Sequence, residues 1–159
     1  MPCALGRGGR IFNKREGDGA TPVGIWRLRQ CYFRGDRMVR PTSKLPLSPI
    51  KRGWGWCESV GDRNYNRRVK LPYATAHEEL RRADRLYDIV IETSHNQRPR
   101  IQGRGSAIFF HLARPELAPT AGCVAVSLND MRKILSLCTP KTSLVIWPPN
   151  GAAPNVFRK

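Results

Sequence analysis

The sequence has 159 residues, about one domain's worth, and nothing in it suggests a second domain. Its 40% hydrophobic and 25% charged residues are ordinary for a globular chain, and no run approaches the roughly 18 apolar residues of a membrane span. Lys and Arg number 28 against 12 Asp and Glu, a formal net of +16 that favours polyanionic partners: nucleic acid first, an anionic envelope polymer or membrane surface second.

Thirteen Pro and fourteen Gly favour many short elements joined by turns. Residues 1–22 are basic and turn-rich, ending in Asp18-Gly19 and Thr21-Pro22. Val23 to Leu28 alternates with a period near two and predicts a half-buried strand, extending to Phe33. Residues 41–53 hold three prolines and read as an exposed loop, followed by the aromatic segment Trp54-Gly55-Trp56-Cys57. Residues 61–73 read as loop. Thr75 with Glu78 makes a capping box, predicting a short helix from Ala76 to about Arg85 with His77 on its surface. Leu86 to Glu92 predicts a strand, Ser94 to Gly105 a basic loop, and Ala107 to Leu112 a buried strand. After a loop with two prolines, Val124 to Val126 is strand-like. Ser127 caps a second helix running to about Leu137, and Ser143 to Trp147 is the last strand.

The five cysteines, Cys3, Cys31, Cys57, Cys123 and Cys138, form no C-x-x-C and no zinc spacing, so no metal site is expected. The count is odd, so one is free in a monomer, and disulfides among the others are left open. Cys123 follows Gly122 at a loop-to-strand junction, and glycine there permits close backbone approach to a substrate. His111 ends the apolar strand twelve residues earlier. Neighbouring strands lie about 4.8 Å apart, so pairing of the two would bring imidazole and thiol together. A nearby imidazolium would then lower the thiol pKa and populate the thiolate. From the residues alone, a core-filling Cys and a hydrogen-bonded structural His stay open as alternatives.

Three segments in order resemble the YkuD-type L,D-transpeptidases of bacterial cell walls. Glu16-Gly17-Asp18-Gly19-Ala20-Thr21-Pro22-Val23-Gly24 is similar to the family's G-D-x-x-T-P-x-G opening. Ser106-Ala107-Ile108-Phe109-Phe110-His111 is similar to the strand that ends in the family's histidine. Thr120-Ala121-Gly122-Cys123-Val124 stands where the family carries [S/T]-x-G-C, and order and approximate spacing agree across residues 16–147. The resemblance implies a mainly β fold with short helices, a β-rich α+β chain of YkuD-like β-sandwich type, as one catalytic domain over 1–159. It implies that Cys123 attacks a carbonyl of a peptidoglycan stem peptide, with His111 as base and the Gly122 and Cys123 amides as oxyanion donors. An amine of a neighbouring stem then completes a crosslink, 3,3 by family default, with 1,3 or another linkage open. No cofactor is implied. Acylation by a carbapenem is.

Two positions depart from the commoner family form. Ala121 stands where a second histidine is usual, and Ala125 where Asn or Arg is usual. His95, in Ser94-His95-Asn96, is a candidate to replace the missing imidazole. Arg104 and Arg114, with Arg98 and Arg100, are candidates to hold stem carboxylates, and Thr120 and Ala121 to touch substrate. Trp54, Trp56 and Tyr73 are candidate groove walls or core. Competing expectations are a carboxypeptidase or endopeptidase using the same thiol, a nucleic-acid-binding protein, and an inactive wall-binding module. No helix-turn-helix, zinc finger or RNA-binding aromatic signature supports nucleic acid. The implied substrate places the protein in the periplasm or cell envelope. Met1 to Arg7 has no apolar signal core, which leaves the cytoplasm open.

Overall fold

Alternation along the strands sorts the side chains onto two faces of one central sheet. The structure is a computed structural model and describes residues 1–150. Its elements are β1 (Arg10–Ile11), β2 (Thr21–Pro22), β3 (Gly24–Phe33), β4 (Leu47–Pro49), β5 (Trp54–Cys57), β6 (Arg67–Lys70), β7 (His77–Glu79), β8 (Ile89–Thr93), β9 (Phe109–Leu112), β10 (Val124–Val126), α1 (Leu128–Leu137) and β11 (Ser143–Ile146). The central sheet runs β10-β9-β8-β3-β11, with β4 paired to β3. A second sheet has the order β6-β5-β7, and β1 pairs with β2.

Successive strand residues point to opposite faces. On one face Ile89, Ile91, Phe110, Leu112, Val124 and Val126 pack against Met131 and Leu135 of α1. On the other, Val90, Phe109 and Cys123 pack against Trp56, Leu80 and Tyr87. The result is a mainly β chain of two packed sheets with one short helix flanking the central one, the β-rich α+β architecture expected. The helix behaves as its sequence predicts: Ser127 Oγ accepts from Asp130 N at 3.1 Å, and Met131 and Leu135 are its buried face.

The first predicted helix does not form. Residues 77–79 are instead β7, paired antiparallel to β5 with Trp56 opposite Glu78. Thr75 Oγ1 donates to Asp62 at 2.8 Å instead of capping, and Glu78 turns inward. Beyond β7, the carbonyls of Arg82, Ala83 and Asp84 accept from the Arg34 and Arg37 guanidiniums. Tertiary donors thus replace the amides that a helix would supply, overriding local propensity. Two segments expected to be loop carry strand. β4 arises inside 41–53, where Leu45 and Ile50 are buried, and β6 arises inside 61–73. In β6 only Val69 is buried, so no hydrophobic alternation announces it.

Candidate active site

The strand that carries His111 and the strand that begins just after Cys123 are neighbours. β9 and β10 run parallel with Ala125 opposite His111, which sets Cys123 beside Phe109. The period of two puts Phe109, His111, Cys123 and Ala125 on one face, toward the second sheet. His111 and Cys123 line the same cavity, of about 640 Å³. They sit one pleat apart along the strands, and the thiol is satisfied by backbone instead of by the imidazole. Cys123 Sγ donates to Ala107 O at 3.1 Å and accepts from Phe109 N at 3.3 Å.

His111 Nδ1 donates to Leu112 O at 2.8 Å; since a carbonyl only accepts, Nδ1 carries the proton and Nε2 holds the free lone pair. Burial lowers the His111 pKa to about 4, against the opposing pull of that hydrogen bond. Burial likewise pushes the Cys123 thiol up to about 12, and the Glu78 carboxylate adds to the rise. The expected imidazolium–thiolate pair is therefore corrected. At rest both groups are neutral, because the buried site penalises either charge. The free lone pair on Nε2 leaves the imidazole able to accept a proton.

The loop that carries Cys123 is held from three sides. Thr120 Oγ1 donates to Cys123 O at 2.7 Å and accepts from Gly122 N at 3.1 Å, so the Gly122 amide faces Thr120 in this state. Gly122 has φ +138°, and a Cβ there would lie 2.8 Å from Ala20 O. The Gly-Asp-Gly-Ala-Thr-Pro turn and the Gly-Cys segment thus meet at backbone contact. Asp18 fixes that turn by accepting from Arg15 N at 2.7 Å and Ala20 N at 2.9 Å. Gly122→Ala is expected to cost roughly 1–3 kcal/mol and to displace the thiol. Urea midpoints together with alkylation of Cys123 measure this, and a wild-type value for both would refute it. The amino-terminal segment supplies the third side. Ala4 exchanges both backbone hydrogen bonds with Ala125, Thr120 N donates to Leu5 O at 2.9 Å, and Gly6 N donates to Thr21 Oγ1 at 2.7 Å.

Several residues around the thiol carried no sequence signal for it. Asn66 Oδ1 accepts from Ala107 N at 3.1 Å and from Trp56 Nε1 at 2.9 Å, fixing the segment whose carbonyl holds the thiol. Tyr87 meets the His111 ring edge-on at 5.3 Å, and its hydroxyl donates to Glu78 Oε1 at 2.7 Å. Arg82 reaches the same oxygen at 3.2 Å. Burial raises the Glu78 pKa, with Tyr87 and Arg82 acting against it. The cavity wall carries four carboxylates, Glu16, Glu58, Glu78 and Glu79, and four cations, Arg7, Lys14, Arg82 and Arg114. It can therefore meet a ligand bearing both signs of charge.

Of the remaining expected residues, Arg114, Thr120 and Ala121 line the cavity, while His95 and Arg104 are absent from its wall. His95 Nε2 binds Arg104 O at 3.0 Å and the ring packs edge-on to Trp26 at 4.7 Å. The imidazole is thereby held in the basic-loop junction and does not take the place left by Ala121. The Arg104 guanidinium binds Asn13 Oδ1. Arg100 Nε donates to Asn66 O at 3.2 Å. Trp56 is core, stacked edge-on to Phe109 at 5.0 Å, and Tyr73 binds Asp62 and Asn64. His77 is half-buried and lines the cavity. All five cysteines are free thiols. Among the described residues no group of three His, Cys, Asp or Glu is placed to hold a metal, and no helix is long and apolar enough to cross a membrane.

The two buried imidazoles make the fold acid-sensitive. Burial lowers the His95 pKa, like that of His111, to about 4 from 6.5. Between these values the unfolded chain binds more protons than the folded one, so stability falls as pH drops from about 6.5 to 4. Each histidine contributes up to about 3 kcal/mol to that loss. Urea midpoints at pH 7 and 4.5 should differ accordingly, with a shallower fall in His95→Gln. Equal acid slopes in the two proteins would exclude a contribution from His95.

No curated protein and no solved structure matches the chain. One family does match, over residues 1–146, which include the cavity, both strands of the Cys–His pair and the amino-terminal segment. The chain therefore belongs to the YkuD family, the L,D-transpeptidase catalytic domain.

Proposed function

We propose that the protein is a peptidoglycan L,D-transpeptidase acting in the cell envelope, with Cys123 as nucleophile and His111 as its base. What carries this reading is the placement of a neutral imidazole with a free Nε2 and a buried thiol on one face of adjacent strands, in one cavity. Nε2 takes the thiol proton as Sγ attacks a stem-peptide carbonyl, and the new C–S bond forms as the C–N bond breaks. The proton passes from His111 to the leaving amine, leaving a thioester. An acceptor amine from a neighbouring stem then attacks the thioester. His111 takes the amine's proton, an amide forms and the thiolate recovers its proton. The Cys123 amide and the Gly122 amide, once it swings from Thr120, are the proposed oxyanion donors. The mixed charge of the wall suits stem peptides, which carry both carboxylates and amines, and Arg114 is the proposed carboxylate contact.

Incubation with wall-derived stem peptides tests the reaction. Crosslinked dimers support transfer, and the position of the new bond gives the linkage as 3,3, 1,3 or other. Trimmed monomers alone would replace transfer by hydrolysis of the same bonds. Absence of both products, with no carbapenem adduct on the protein, would refute the proposal.

A further inference from the structure

A second groove, of about 620 Å³, shares no lining residue with the Cys123 cavity. Arg27 and Arg29 of β3 and Arg68 of β6 line it, and Glu92 of β8 is its one carboxylate. The three arginines are exposed, and none takes part in the ion pairs of the described residues, which use Lys14, Arg34, Arg37, Arg81 and Arg82 elsewhere. Glu92 is already occupied: Tyr32 OH donates to one oxygen at 3.2 Å and Gln97 to the other. The positive field continues past it. Arg100 lies close enough to Arg67 and Arg98 for their charges, after the larger effect of burial, to oppose its protonation.

The arrangement favours a repeated anion over a single one. Residues two apart on a strand are roughly 6.6 Å apart, so Arg27 and Arg29 present a spaced pair of guanidiniums, and Arg68 adds a third from the other sheet. Planar guanidiniums pair with oxyanions through two hydrogen bonds at once. Cations without an ion-pair partner, beside a single committed carboxylate, attract counter-ions that a polymer can displace. Single-stranded nucleic acid would also need exposed rings on which to stack bases. Here Trp54 is covered by Arg68 at 4.0 Å, with Lys51 at 6.0 Å. Tyr32 is buried and holds Glu92.

We propose that this groove is a binding site for a base-free polyanion, a chain bearing phosphate or carboxylate groups at regular intervals, separate from the thiol site. It would hold the protein on an anionic polymer while the Cys123 cavity remains free.

The test measures binding of inorganic polyphosphate, polyglutamate and oligo-dT of matched charge to the full chain, from about 50 to 200 mM salt. The triple variant Arg27→Gln/Arg29→Gln/Arg68→Gln is compared with Arg132→Gln/Lys133→Gln/Lys141→Gln, which removes the same charge from exposed positions on and beyond α1. The groove variant should bind the preferred polyanion at least about tenfold more weakly, with a salt slope smaller by roughly 3. The control should stay within about twofold of the parent. Tighter polyphosphate binding identifies a phosphate polymer and tighter polyglutamate binding a carboxylate polymer; either supports the site. Equal losses in the two variants, preference for oligo-dT, or no binding at all would overturn it. Carbapenem acylation of Cys123 in the groove variant should match the parent, so failure of this site and failure of the proposed chemistry are read separately.

Discussion

Cys123→Ala should remove the carbapenem adduct and all crosslinked product while leaving the protein folded. The thiol's two backbone hydrogen bonds, to Ala107 O and from Phe109 N, are worth about 1 kcal/mol each, so a urea titration should show a modest loss of stability. The other four cysteines sit elsewhere, so intact mass reports on Cys123 alone once Cys3, the one exposed thiol, is accounted for. The wild-type thiol should also be slow toward a simple alkylating agent. A pKa of about 12 in place of 9.0 leaves roughly a thousandfold less thiolate at neutral pH. The greater nucleophilicity of a more basic thiolate returns a little over one decade, leaving a rate about fiftyfold below that of an ordinary thiol. A protein that is slow with iodoacetamide yet quickly acylated by a carbapenem would be using a base, not a standing thiolate. An adduct of unchanged mass in Cys123→Ala would sink the assignment.

His111→Gln should lower acylation by about 10²–10⁴-fold and change its pH dependence. With His111 neutral above a pKa of about 4, base strength is constant from pH 5.5 to 8, and the wild-type rate should be nearly flat there. The variant must rely on spontaneous ionisation of the thiol, so its rate should climb tenfold per pH unit over the same span. The charges near these two groups are Arg82, Asp84 and Arg114 for His111, and Glu78 and Lys14 for Cys123. All of these remain in the variant, so a change of slope belongs to the imidazole. Parallel profiles for the two proteins would show that another group accepts the proton.

What the sequence revealed and what it concealed divide along the range of the interactions. The adjacency of the His111 and Cys123 segments was legible because an apolar run and a short connecting loop lie within about twenty residues. Helix α1 was legible because Ser127 and Asp130 cap it locally. The same local rule misled at Thr75 and Glu78, where pairing with β5 and arginines from residues 34 and 37 determine the backbone. Asn66, Tyr87 and Glu78 surround the thiol through contacts spanning many residues, and nothing beside them in the chain marks that role. His95 shows the converse. Its position after a strand suggested a second imidazole, but its ring is bound to the Arg104 carbonyl and to Trp26.

The Ala4–Ala125 pairing has a consequence for how the chain meets other chains. β10 is the outermost strand of the central sheet, and an uncovered outer strand offers its amides and carbonyls to any passing strand. Here the backbone of the amino-terminal segment occupies those groups, so β10 is shielded by a segment whose Arg7 also lines the cavity. Removing residues 1–8 would bare that rim beside the thiol. The shortened protein would then be prone to self-association through β10, with loss of activity and of solubility arising from one cut.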